Sequence, residues 1–333
     1  MIARFGKREW GWLCVFVAAV LLLPAILGRT GFSRAAFDPA PLAELSAMDP
    51  APQVVLIGDS MLGTRIDPEV LERLSDVPNF VNILEGSASA RWYLYLKNYL
   101  ADSGVRPKHV VVFFRDRYLT DPVFRTSAQY QELLHQSMKA DEPVVTRLLE
   151  GQDTTRFAKV AKFFEWLYPS QQLRERVADY VVLRAQKLTD NLTADGTDFD
   201  VALDRTFDID LLRSDMPSEL ASENLNQAAF DPSPEMSFLP HIVELAKKNG
   251  WHLTFYRVKR RPQEGDHRKD DSELVDYIAN LRAYLEANGA DLVDVTNDDS
   301  LGMDYYSDGD HVSETMRPRY TEQFFERNRG LFQ

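Results

Sequence analysis

The chain alternates short runs of β-branched and aromatic residues with stretches whose apolar positions recur every three to four residues. Val54-Val55-Leu56-Ile57 is too short and too β-branched for a helix and reads as a buried strand. Asp67-Pro68 then supplies an N-cap and a proline at the first helical position, ahead of Glu69–Leu74. Phe80–Leu84 reads as a second strand, Tyr93–Leu100 as a helix, and the apolar run Val110–Phe114 as a third strand. Further on, Phe238–Lys248 has helical spacing, His252–Val258 reads as a strand, Asp271–Ala287 as a helix and Leu292–Val295 as a strand. A last helix is expected from about Ser313 to Asn328. Strands alternating with helices predict an α/β fold whose mostly parallel sheet is covered on both faces.

Two regions break the rhythm. An uncharged stretch from Trp10 through Gly28 follows Arg4, Lys7 and Arg8 and ends at Arg29. Its length and positive flank fit one membrane-spanning helix or a signal peptide. The apolar core is longer than a usual signal segment, no clean Ala-x-Ala site follows Leu27, and Trp10 and Trp12 suit a membrane interface, so an uncleaved anchor is the expectation. The positive-inside rule then places the rest of the chain outside the cytoplasm. Residues 29–53, with Pro39, Pro41, Pro50 and Pro52, read as a semi-rigid tether. The second break spans about 120–235. Thr155–Tyr168 and Leu173–Leu188 have helical spacing, and Asp190–Asp231 is polar, acidic and irregular, so a largely helical insertion is expected. Its Phe157, Phe163, Phe164 and Trp166 read as core packing rather than a ligand box. The expected organisation is 1–28 stub and anchor or signal, 29–53 tether, and 54–333 an α/β domain carrying the insertion.

Composition narrows the partners. With 333 residues, 44% hydrophobic and 27% charged, the chain is long enough for one large α/β domain with an insertion or for two domains. A net charge of −13 offers no basic field to displace phosphate counterions, which argues against nucleic acid. Cys14, the sole cysteine, falls inside the expected anchor, so the exported part is expected to fold without a disulfide.

Gly58-Asp59-Ser60 follows the first strand, where α/β folds put reacting groups, and Asp308-Gly309-Asp310-His311 lies near the C-terminus. A serine hydroxyl is a poor nucleophile until a base removes its proton; His311 could do so if Asp308 fixes its tautomer. Plainer roles exist for each. Ser60 could cap a turn after a strand, and Asp308 and Asp310 could be turn residues with His311 capping the following helix. Asp310 is an alternative orienter, though adjacency to His311 disfavours it. A metal cluster of Asp308, Asp310 and His311 lacks a second histidine-containing motif to complete a ligand set. No cofactor is expected. His109, His135, His241, His252 and His267 read as structural.

The arrangement resembles the SGNH hydrolases, or GDSL esterases, in Gly58-Asp59-Ser60, in Asn82-x-x-x-Gly86 around the second strand, and in Asp308-x-x-His311 before the last helix. The resemblance covers roughly 54–120 and 238–330. It implies a three-layer, flavodoxin-like parallel sheet, Ser60 as nucleophile, His311 as general base and Asp308 as its orienter. The backbone N–H groups of Ser60 and Gly86 would stabilise the oxyanion. One departure stands out: the family's Gly-x-Asn block after the third strand is missing, and Phe113-Phe114-Arg115-Asp116-Arg117-Tyr118 stands there instead. Either the third donor is absent or Arg115 or Arg117 replaces it; the plainer reading of both arginines is an ion pair with Asp116 or Asp121. The single anchor and exported domain look more like the membrane-anchored branch that works beside membrane-bound O-acyltransferases, such as alginate O-acetylation proteins and the D-alanyl transfer protein of teichoic acids. The expectation is an extracytoplasmic acyl-ester hydrolase or O-acyltransferase, with acetyl as the expected group, acting on a cell-surface polysaccharide through an acyl-serine. Its rivals are a lipase or lysophospholipase and a non-catalytic glycan-binding scaffold of a membrane assembly.

Overall fold

A computed structural model describes residues 37–115, 117–126, 129–150, 229–262, 272–307 and 310–333. Its strands are β1 (Val54–Gly58), β2 (Asn79–Ile83), β3 (His109–Phe114), β4 (His252–Arg257) and β5 (Asp291–Asp294). They form one sheet in the order β2-β1-β3-β4-β5, with every pair parallel. In register, Val54 lies between Asn79 of β2 and His109 of β3. From β1 the chain turns first to β2 on one side and later to β3 on the other. The gap between β1 and β3 is therefore the topological switch point, outside whose carboxyl ends open α/β sheets bind ligands.

The helices among the described residues are α1 (Ala40–Ala47), α2 (Ser60–Gly63), α3 (Pro68–Leu74), α4 (Ser89–Tyr95), α5 (Gln129–Gln136), α6 (Pro143–Glu150), α7 (Leu239–Asn249), α8 (Ser272–Ala287) and α9 (Arg317–Arg327). A π-helical turn, Leu96–Ala101, extends α4. Side-chain alternation along the strands builds two cores. Val54, Leu56, Val111, Phe113 and Tyr256 face α3 and α9, while Val55, Ile57, Val110, Val112 and Phe255 face α4, α7 and α8. β1 and β3 are thus apolar on both sides, which is why they read as unbroken hydrophobic runs. Phe324 of α9 anchors the first face, its ring 5.4 Å from Phe113 and 5.2 Å from Tyr256, centroid to centroid. Burying such a ring contributes roughly 1.5–3 kcal/mol.

The α/β rhythm is recovered to within a few residues at each element. The Asp67 carboxylate accepts from the N–H of Glu69 and of Val70 at 3.0 and 3.1 Å, the cap expected of it. The last helix begins at Arg317 rather than Ser313, with Pro318 in its first turn, where a missing N–H costs nothing. The tether requires correction. From Phe37 onward it is part of the folded domain: Phe37 stacks on Tyr99 at 5.1 Å, and Leu45 of α1 lies within the core. Prolines 39 and 41 sit at the cap and first turn of α1, where they are compatible with a helix. The beginning of the expected insertion is helical, with Leu134, Val145 and Leu148 buried. Its remainder, including Phe157, Phe163, Phe164 and Trp166, lies outside the described residues, as does the 10–28 stretch. Among the described residues no helix is long and apolar enough to cross a membrane.

Candidate active site

β1 ends at Gly58, where a Cβ would stand 2.7 Å from the Cβ of Leu62 and 3.0 Å from that of Phe113. Glycine therefore lets α2 start directly over the strand end. Asp59 caps α2 by accepting from the Met61 N–H at 2.9 Å, and Ser60 is its first residue. His311 arrives from the opposite end of the chain, on a loop closed by the antiparallel bridge Tyr306–Val312 and by the Ser307 N–H donating to the His311 carbonyl at 3.0 Å. Its Nε2 lies 3.1 Å from Ser60 Oγ, across 251 residues of sequence. That is the reach of a nucleophile–base pair. Asp308 and Gly309 lie outside the described residues.

Asp310, the alternative orienter, is spent differently. Its carboxylate meets the Arg115 guanidinium, Arg260 Nε at 3.3 Å and the Arg261 N–H at 3.0 Å. Burial pushes this carboxyl up, but Arg115, Arg260, the Arg261 N–H and Arg65 together outweigh it and hold Asp310 below the usual carboxylate range. An anion already surrounded by guanidinium groups is a poor ligand for a metal cation. The same pairing fixes Arg115 at the carboxyl end of β3, against Asp310. Arg117 reaches the other way, to Glu273 of α8 at 3.0 Å. The two arginines considered as replacement oxyanion donors are thus each engaged by a carboxylate.

Gly86 follows β2 with φ +62°, and a Cβ there would lie 2.6 Å from the Tyr130 ring. Both reasons require glycine. The N–H groups of Ser60 and Gly86 have no protein acceptor among the described residues.

A residue of the site missed from sequence is Arg65, between Ser60 and the Asp67-Pro68 helix start, which is fully buried. Its guanidinium donates to the carbonyls of Met61 at 3.2 Å, Lys259 at 2.9 Å and Asp310 at 2.8 Å, and lies over the Tyr306 and Tyr320 rings. Met61 follows Ser60 and Asp310 precedes His311, so one guanidinium joins the turn of the hydroxyl to the loop of the imidazole. Nothing in the local sequence marks this role.

No protein-family model matches the chain, and no curated protein matches it significantly. In shape it is similar to a candidate acylhydrolase of Bacteroides fragilis, at 14% identity over 88% of this chain and 94% of that one, with a TM-score of 0.40. It is also similar to a GDSL-like lipase of Bacteroides thetaiotaomicron, at 12% identity over 86% and 94%, with a TM-score of 0.38. These are loose likenesses.

Proposed function

We propose that the chain is a serine-dependent acyl-ester hydrolase or acyltransferase of the SGNH type. The observation that carries this reading is the 3.1 Å approach of His311 Nε2 to Ser60 Oγ at the carboxyl end of β1, beside the switch point of the sheet. In the first half-reaction Ser60 Oγ attacks the ester carbonyl carbon while His311 Nε2 takes the hydroxyl proton. The negative charge that develops on the carbonyl oxygen is received by the N–H groups of Ser60 and Gly86. Collapse breaks the bond to the alcohol, which leaves with the proton from His311, and an acyl-Ser60 remains. Water or a sugar hydroxyl then attacks that ester, His311 again taking and returning the proton. Asp308, three residues before His311, has the role of orienting the imidazole. Arg115, held on Asp310, contributes positive potential at the end of β3.

The finer reading is that the domain is held at the outer face of a membrane by the 10–28 stretch and acts on acetylated cell-surface polysaccharide, with a membrane-bound O-acyltransferase as partner. The basic flank and uncharged length of that stretch support the placement. The missing asparagine block after β3 favours the scaffold reading, and a fluorophosphonate probe separates the two. The wild type is expected to label and Ser60→Ala not to. A folded wild type that stays unlabelled overturns the mechanism. Acyl-polymer product analysis with and without Ser60 then separates hydrolysis from transfer.

A further inference from the structure

Among the described residues Arg125 alone of the non-glycines has a left-handed backbone, with φ 55°. Side chains of L residues disfavour that region, and such strain persists where the surroundings over-determine it. The surroundings here are specific. Arg125 Nη1 lies 2.6 Å from Asp59 Oδ2 and donates to the Ser87 carbonyl at 3.2 Å. The guanidinium rests over the rings of Phe124 and Tyr130, at 5.2 and 5.6 Å from their centroids. Tyr130 is the ring that closes the space over Gly86. The other oxygen of Asp59 caps the helix that begins at Ser60.

Asp59 precedes Ser60 by one residue, and Ser87 follows Gly86 by one. A single nitrogen therefore grips the two loops that carry the backbone donors of the oxyanion site. We propose that Arg125 is a positioning residue that sets the separation between the Ser60 and Gly86 N–H groups during acyl transfer. This rests on the function proposed above. Main-chain donors cannot correct their aim by changing rotamer, so their spacing is only as good as the contacts that hold the loops together. A planar guanidinium can do this while stacked on two rings; an ammonium can replace its charge but not its stacking.

The test compares the full chain with Arg125→Ala, Arg125→Lys and Asp59→Asn, using p-nitrophenyl acetate turnover per fluorophosphonate-titrated site. Titration removes any loss caused by misfolding. Arg125→Ala is expected to lower kcat about 100-fold, the cost of a disturbed oxyanion donor, with KM within about twofold of wild type. Arg125→Lys is expected to recover part of that loss. Combining Arg125→Ala with Asp59→Asn is expected to add little, because both break one contact. Wild-type kcat per site in Arg125→Ala, or a loss confined to KM, overturns the inference while leaving Ser60 as nucleophile. Absence of Ser60-dependent labelling in the wild type overturns both readings together. If Arg125→Ala does not fold, Arg125→Lys and Asp59→Asn decide: wild-type kcat in both overturns the proposal, and a lowered kcat at unchanged KM upholds it.

Discussion

Replacing Arg65 with methionine tests whether the buried guanidinium joins the two halves of the site. The stem is conserved in length closely enough for Met to occupy much of its space, so the change removes mainly the hydrogen bonds. The Asp310 carbonyl at 2.8 Å and the Met61 carbonyl at 3.2 Å lose this donor, while the Lys259 carbonyl, 2.9 Å from the guanidinium, keeps the Tyr306 hydroxyl at 3.2 Å. A buried carbonyl left without a partner costs about 1–3 kcal/mol, so the two together would cost about 2–6 kcal/mol. Against this stands the relief of no longer burying a charge whose partners here are carbonyls, which offsets part of that cost. The net expectation is a loss of about 1–4 kcal/mol. At about 2–4 °C per kcal/mol for a domain of this size, the melting temperature should fall by about 2–16 °C. Circular dichroism measures that fall. Fluorophosphonate labelling at 25 °C, where the variant is still folded, measures the second consequence. Because Arg65 grips the carbonyls next to Ser60 and His311, labelling should slow even among folded molecules, and Arg65→Lys should lie between the two. A melting temperature within 2 °C of wild type, or unchanged labelling in folded Arg65→Met, would refute the reasoning.

Two further expectations use the same assays. Gly86→Ala places a methyl 2.6 Å from the Tyr130 ring on a backbone at φ +62°, whereas Gly104→Ala, at φ +82°, meets nothing within 4 Å. Both should lose about 1–2 kcal/mol from the left-handed φ, but only Gly86→Ala should also lose at least about tenfold in acylation rate; equal activity losses would count against a role for Gly86. In acid, the wild type should lose stability through two groups. Burial, then His252 and Lys108, depress the His109 imidazole, so below its ordinary value of about 6.5 the unfolded chain takes up a proton that the folded one resists. Asp310, also depressed, adds a loss at lower pH, beginning near the ordinary aspartate value of about 3.9 and continuing as pH falls through its folded value. Urea midpoints at pH 7.5 and 5.5 should therefore converge in His109→Gln relative to wild type, and an undiminished drop would remove His109 from the account.

The parts of the molecule legible in the sequence are those whose physics is local. β1 and β3 are buried on both faces, so their apolar runs announce them, and Asp67-Pro68 carries its own helix start. Ser60 and His311 were legible because each follows or precedes an element end, where an exposed reactive side chain belongs. Arg65 and Arg125 were not, since their meaning lies in partners far along the chain: Arg65 meets the Asp310 carbonyl 245 residues away, and Arg125 meets Asp59 at a distance of 66. α1 was misread for a related reason. Its burial depends on Phe37 and Leu45 finding the π-helical turn after α4, and isolated apolar residues among prolines look like a tether until that surface exists.

Asp310 shows how structure narrows what spacing leaves open. Asp308 and Asp310 were both available as orienters on sequence grounds. Asp310 proves to be a tie at both of its ends, its carboxylate to Arg115, Arg260 and the Arg261 N–H, its carbonyl to Arg65. Those contacts anchor the His311 loop to the ends of β3 and β4 and to the segment following Ser60. In the proposed mechanism a carboxylate so engaged serves the imidazole through the backbone, by holding its loop within reach of Ser60. On the proposed mechanism, orientation of the ring then falls to Asp308 and placement of the loop to Asp310.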